Sequence, residues 1–206
     1  MWVFSALRGY SALLEGYAGG RISDLDLGYV LKLRNLLHYH VLSLSVATFA
    51  ETGTVSHTYE SLRLTLIVYS MLVLFPVPLM TSPYPDLARL LRHELESIAD
   101  EEWTGMTSLL LWSLTLGGIA ALDTPHRGWF SERLHLQLGK MGIISWEEFT
   151  RIMKTLLWLD SPCGMEGRIL WKEAQECGHQ LPAEHYFNLA NSEVSMSVVD
   201  YPELDF

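Results

Sequence analysis

Apolar residues along this 206-residue chain recur at intervals of three and four, the spacing that lines one face of an α-helix. Val3, Leu7, Tyr10, Leu14 and Tyr17 predict a first helix, closed by the Gly19-Gly20 break. A second is expected from Asp24 or Asp26, with Val30, Leu33, Leu37, Val41 and Leu44 on one face and an end near Gly53. A third starts around Thr58 and runs through Leu62, Leu66, Tyr69 and Leu72 to Pro76 and Pro78, because proline cannot continue the backbone ladder. Asp86 is expected to cap a fourth, whose Leu87, Leu90, Leu91, Leu95 and Ile98 keep the same spacing. After a long uncharged run and a turn at Asp123-Thr124-Pro125 comes a helix marked by Phe130, Leu134, Leu138 and Met141. There Leu134, Leu136 and Leu138 also fit strand alternation. Ser145 and Glu148 form a capping box ahead of Phe149, Ile152, Met153, Leu156 and Leu157, with Pro162 and Gly164 as the expected stop. The last helix is expected from about Met165 to a glycine cap at Gly178. No alternating strand and no fixed-period repeat is visible. The fold class is all-α, an irregular array of about seven or more helices over residues 1–180, followed by a tail at 181–206.

The uncharged run spans twenty residues, Trp103 to Leu122, between Asp100-Glu101-Glu102 and Asp123. Its length suits a bilayer crossing of about twenty residues. Its composition does not: Thr104, Thr107, Ser108, Ser113 and Thr115 dilute it, acids flank both ends, and no basic cluster sets an orientation. A helix buried on all sides of a protein core reads the same way, and that is the preferred reading.

Charge narrows the function. Fourteen Lys and Arg against 24 Asp and Glu give a net charge of −10, which disfavours direct binding to nucleic acid. Only 18% of residues are charged while 49% are hydrophobic, so part of the surface is expected to be covered by a partner or a further part of a longer chain. Residues 181–206 hold five acids, Glu184, Glu193, Asp200, Glu203 and Asp205, and no Lys or Arg, with Tyr186, Phe187, Tyr201 and Phe206 among them. Such acidic-aromatic segments can fold on a partner as activating tails; a solvated tail partly docked on the body is the plainer reading. The chain opens inside an amphipathic helix with no cap before it, as a truncated frame or a fragment would. Cys163 and Cys177 make neither a zinc framework nor a disulfide scaffold and fit a reducing compartment.

Candidate chemistry is thin. No nucleophile elbow, phosphate loop or His-Glu-x-x-His is present. On a helix the side chains of His38 and His40 diverge by roughly 200°, which argues against a shared metal. His93, Glu94 and Glu96 read as solvated charge on an exposed face. His126-Arg127 in its turn reads as an anion contact or as groups that satisfy helix ends. Trp103, Trp112, Trp129, Trp146, Trp158 and Trp171 invite a ligand-box reading, but at helical positions such residues more often build core. No catalytic residue, metal ligand or cofactor is assigned.

From about Tyr59 to Trp171 an ordered series stands out. It contains Tyr59-Glu60-Ser61-Leu62-Arg63, Phe75-Pro76, Leu111-Trp112 and Gly117-Gly118-Ile119-Ala120-Ala121. Pro125-His126-Arg127-Gly128-Trp129-Phe130, Ser145-Trp146-Glu147-Glu148, Leu157-Trp158-Leu159-Asp160 and Leu170-Trp171-Lys172-Glu173 complete it. The series resembles the C-terminal part of the fungal-specific transcription factor domain, the all-helical regulatory region of binuclear zinc-cluster regulators. The resemblance implies a nuclear regulator that works through protein or small-molecule contacts, with Arg63, Pro76, Trp112, Gly118, Arg127, Trp129, Trp146, Trp158 and Trp171 as family-like core positions. The family's six-cysteine cluster is absent here, so zinc is expected only in a missing upstream segment and no DNA-binding residue is carried over.

The expected function is therefore a regulatory module of transcription, with the transcription machinery or another regulator as partner, no direct nucleic-acid contact, and a dimer as a further option from the apolar surface. Tyr186, Phe187, Asp200, Tyr201, Asp205 and Phe206 mark the candidate activating tail. Two other readings compete: a membrane protein with spans near 64–80 and 103–122, and a helical enzyme acting on an apolar metabolite.

Overall fold

The computed structural model describes residues 2–44, 56–79 and 83–180. Eight α-helices and no strand occur among the described residues: α1 (Trp2–Ala18), α2 (Leu27–Leu42), α3 (His57–Val73), α4 (Tyr84–Glu96), α5 (Thr107–Ala120), α6 (Arg127–Met141), α7 (Trp146–Thr155) and α8 (Asp160–Gln180). The tail from 181 onward lies outside them.

Helix α5 is the axis of the array. Every residue from Leu111 to Ala121 is buried, so the helix has no polar face to show. It packs on α3, α4, α6, α7 and α8. Ser113 and Thr115 sit inside this core, and the Thr115 hydroxyl donates to the Leu111 carbonyl one turn back, which satisfies it without a distant partner. The α1–α2 pair lies to one side, with α2 packed on α3.

The twenty-residue uncharged run is not one helix. Asp100–Trp103 forms a 3-10 turn, Gly105 takes a positive φ of 80°, and α5 begins only at Thr107. Fourteen residues rise about 21 Å, short of the roughly 30 Å of a bilayer core. No helix among the described residues is long and apolar enough to cross a membrane.

Several boundaries differ from the sequence expectation. Helix α2 starts at Asp26, whose carboxylate accepts from the amides of Gly28 and Tyr29, but it ends at Leu42 rather than near Gly53. There the Ser43 hydroxyl bonds back to the Tyr39 carbonyl, and the Ser-Leu-Ser-Val sequence that follows has little helix preference. Helix α3 begins at His57, beside the expected Thr58, with Ser56 as its cap. Asp86 lies in the first turn of α4 instead of capping it, because Pro85 fits that turn and lets the helix begin at Tyr84. Leu90 is 38% exposed, turned away from the buried Leu87, Leu91 and Leu95.

Helix α6 settles its ambiguity: Phe130, Leu134 and Leu138 are buried while Leu136 is only half-buried, a helical pattern. The serine half of the capping box before α7 forms, with Ser145 Oγ accepting from the Glu148 amide at 3.2 Å, while the Glu148 carboxylate lies 3.5 Å from Arg151. Pro162 and Gly164 do not end α7, which stops at Thr155. They fall in the first turns of α8, which starts at Asp160 and runs past Gly178. A proline there lacks only an amide that the first turn leaves unpaired.

Candidate functional site

The residues that carry the family resemblance meet mainly along the α5–α8 side of the core. Arg127, at the start of α6, donates through Nε and Nη2 to both carboxylate oxygens of Glu173 on α8, at 2.7 and 3.1 Å. Its Nη1 donates to the Gly118 carbonyl in the last turn of α5. Ser131 Oγ bridges the same cluster, at 3.1 Å from the Arg127 carbonyl and 3.1 Å from Glu173. One guanidinium thus ties three helices together, adding a charged donor to a helix-end carbonyl that also accepts the Ala121 amide at 3.1 Å. Of the two readings of His126-Arg127, satisfaction of a helix end describes this geometry. At Gly118 a Cβ would meet the Leu170 side chain of α8, so α5 and α8 approach closely there.

Trp112 is fully buried, and its indole N–H donates to the Leu157 carbonyl at 2.7 Å, pinning α5 to the link between α7 and α8. The rings of Phe4 and Tyr69 stand 6.0 and 6.3 Å from it. Tyr69 in turn pairs with Ser11 at 2.6 Å, and since the Ser11 hydroxyl also lies 2.9 Å from the Leu7 carbonyl, the phenol is the donor to Ser11. Trp146, Phe149, Trp158 and Trp171 form an aromatic cluster between α7 and α8. Trp146 stacks on Phe149 at 5.1 Å, Trp171 meets Trp146 edge-on, and Trp158 meets Phe149 the same way. Trp129 lies near the Arg92 and Arg133 guanidinium groups, at 5.4 and 5.9 Å from its ring centre. Trp103, Trp112 and Trp158 are buried, while Trp129, Trp146 and Trp171 are half-buried against the core.

Arg63 and Pro76 stand apart from this assembly. Arg63 pairs with Glu60 one turn earlier on α3, and Pro76 is exposed just after α3 ends. His38 is half-buried beside Phe75, and its ring is held below the usual histidine range by burial and by Arg34. His40 rests on Trp2, so the two histidines serve different contacts. Glu94 is not simply solvated: it is half-buried and lies 2.7 Å from His57 Nδ1. Both cysteines are free; burial pushes the Cys163 thiol up to about 12. The candidate tail residues Tyr186, Phe187, Asp200, Tyr201, Asp205 and Phe206 lie outside the described residues.

A recess of about 170 Å³ opens between the 3-10 turn and α6. Asp100, Arg133, Gln137 and Lys140 meet Trp103, Leu110 and Leu114 in its wall. Asp100 accepts from Lys140 at 2.6 Å and faces Arg133 at 3.5 Å, and the Lys140 bond holds its carboxyl below the usual carboxylate range. Gln137 donates to the Thr107 carbonyl. Two cations against one carboxylate suit a small anionic group, yet both cations are already engaged. Sequence periodicity gave no sign of this recess, because Asp100 lies on the 3-10 turn and Arg133, Gln137 and Lys140 on α6, more than thirty residues away.

Helices α1 and α2 look different. Trp2 and Tyr17 of α1, and Leu27, Tyr29, Leu31, Leu36, Tyr39 and Leu42 of α2, are all about half or more exposed. Among the described residues no group of three or more His, Cys, Asp and Glu could hold a metal ion.

No protein-family model, no curated protein and no solved structure matches this chain.

Proposed function

We propose that this chain is a regulatory module of transcription that acts through protein contact in the nucleus, as the resemblance to the fungal-specific transcription factor domain implies. The supporting observation is the group of exposed apolar side chains on α1 and α2. The family-like residues of α5–α8 close the core with ion pairs, indole hydrogen bonds and stacked rings, whereas α1 and α2 turn large apolar side chains to solvent. Exposed patches of that kind mark contact surfaces, and α2 contributes Lys32 and Arg34 but no acid, in a chain of net charge −10. A basic apolar face and an acidic aromatic tail are two complementary contact elements of one regulator.

Tethering tests this. The full chain fused to a heterologous DNA-binding domain is expected to change reporter transcription, and removal of residues 181–206 is expected to reduce the effect. A reporter that ignores the tethered chain in several hosts rejects the reading.

A further inference from the structure

The cations of this chain are used unevenly. Of the ten Lys and Arg in residues 56–180, eight lie within 4 Å of a carboxylate. Of the four in residues 2–44, namely Arg8, Arg21, Lys32 and Arg34, none has a carboxylate partner among the described residues. Arg34 rests on the Phe75 ring instead, at 4.3 Å. The balance of charge follows the same line. Residues 56–180 carry ten Lys and Arg against fifteen Asp and Glu, whereas residues 2–44 carry four against three. An acidic segment is therefore repelled by α3–α8 and tolerated only on α1–α2.

Those free cations border apolar surface. Val30, Leu37 and Val41 of α2 point into the protein. At about 100° per residue, Leu31, Tyr39 and Leu36 follow one another around the outward side of the helix, and Lys32 falls between the last two. The three apolar side chains are 48%, 65% and 51% exposed, and Lys32 is exposed with them. What covers such a face must be apolar and must bring carboxylates.

We propose that the occupant is the C-terminal segment of the same chain, Val198 to Phe206, docked on the outward face of α2. Val198, Val199, Tyr201, Leu204 and Phe206 supply apolar groups, Asp200, Glu203 and Asp205 lie among them, and no Lys or Arg occurs after Gln180. The seventeen residues between Gln180 and Val198 span up to about 56 Å when extended. A domain of this size has a radius of gyration of about 16 Å, so α2 is within reach from any point of the surface. A segment on the same chain meets the face at a local concentration on the order of millimolar, so a contact too small to hold a separate partner suffices. A second copy fits worse: its own α2 brings the same unpaired cations, and two chains of net charge −10 repel.

The inference rests on α2 being a contact face, as proposed above, and is tested in the full chain. In a Cys177→Ser background, Leu31→Cys is combined with Leu204→Cys. The control combines Leu204→Cys with Arg151→Cys on α7, where the native side chain is 75% exposed. Mild oxidation is expected to close the first pair within one chain about tenfold faster than the control, after correction for the reactivity of each thiol toward a neutral reagent. Lys32→Glu is expected to slow the first pair about fivefold and leave the control unchanged. Raising the salt is expected to slow it as well, since opposite charges draw the segment in. Where Leu31→Cys lowers the melting temperature, Tyr39→Cys takes its place. Equal rates for the two pairs overturn the inference, as does a first pair that ignores Lys32→Glu and salt. A disulfide that links two chains, at a rate rising with concentration, overturns it in favour of a second copy. If the first pair closes as expected while the tethered chain is silent in the reporter, the transcription reading fails by itself. If the tethered chain drives the reporter while the pairs close equally, only the docking fails.

Discussion

Arg127 and Glu173, 46 residues apart, form a forked ion pair that joins the first turn of α6 to the middle of α8. The Arg127 side chain is 12% exposed and Glu173 35%, so most of the pair is withdrawn from water. The planar fork also reaches the Gly118 carbonyl, a geometry that an ammonium cannot reproduce.

Arg127→Lys is therefore expected to destabilise the fold almost as much as Arg127→Met, by about 2 kcal/mol or more, because neither reproduces the fork that reaches both Glu173 oxygens and the Gly118 carbonyl. Chemical denaturation of the two variants checks this. Full retention of stability by the lysine variant would show that charge alone suffices.

Gly117→Ala and Gly118→Ala set two effects against each other. Alanine favours the helix over glycine by about 1 kcal/mol. The added Cβ meets Phe130 and Leu91 at position 117, and Leu170 at position 118. Overpacking a closed core typically costs about 1–3 kcal/mol, and the neighbours here are themselves buried, so both variants are expected to melt at lower temperature. Gly139→Ala on α6, where no atom lies within 4 Å of the new Cβ, serves as the control and is expected to be neutral or stabilising.

Trp112→Phe keeps most of the ring volume but removes the indole N–H. The Leu157 carbonyl then loses its donor in a buried position, which is expected to cost about 1–3 kcal/mol. The expected loss appears in denaturation, with the backbone spectrum unchanged.

Alkali is expected to weaken the fold before most surface groups matter. Burial pushes the Cys163 thiol and the Tyr84 phenol up to about 12, and raises Tyr69 as well. Ordinary values are about 8.5 for cysteine and 10 for tyrosine. The unfolded chain loses these protons first, so stability is full below about pH 8.5 and falls as pH rises towards the folded values. Cys163→Ala is expected to fall less steeply over that range, and a thiol reagent at neutral pH is expected to label Cys177 well before Cys163.

Acid acts through Asp100. Its carboxyl is held low chiefly by the Lys140 hydrogen bond, with Arg133 adding to it. The contribution is present above the ordinary carboxylate value and is lost as pH falls through the lower folded one. With Asp100 about half exposed, solvent screening keeps the effect within about 1 kcal/mol. Lys140→Met is expected to remove it and to flatten the acid limb of the stability curve.

Much of this molecule is legible in the order of its residues. Three-and-four spacing specifies the helices because each must bury one stripe, and Val3, Leu7 and Tyr10 or Phe130, Leu134 and Leu138 could hardly do otherwise. The all-α class, the buried nature of α5 and the Ser145 cap follow from local chemistry of this kind. Tertiary structure decided what local rules leave open. It stopped α2 at Leu42 and started α8 at Asp160, where backbone groups found partners or, at Pro162, needed none. It brought Arg127 to Glu173 and Asp100 to Lys140, pairs that no sequence period connects because they depend on how helices cross. It also separated the two apolar faces of α2. The sequence marks Val30, Leu37 and Val41 as the inward stripe, and α1 and α3 pack against it; that Leu27, Leu31 and Tyr39 stay exposed is decided only by the tertiary structure.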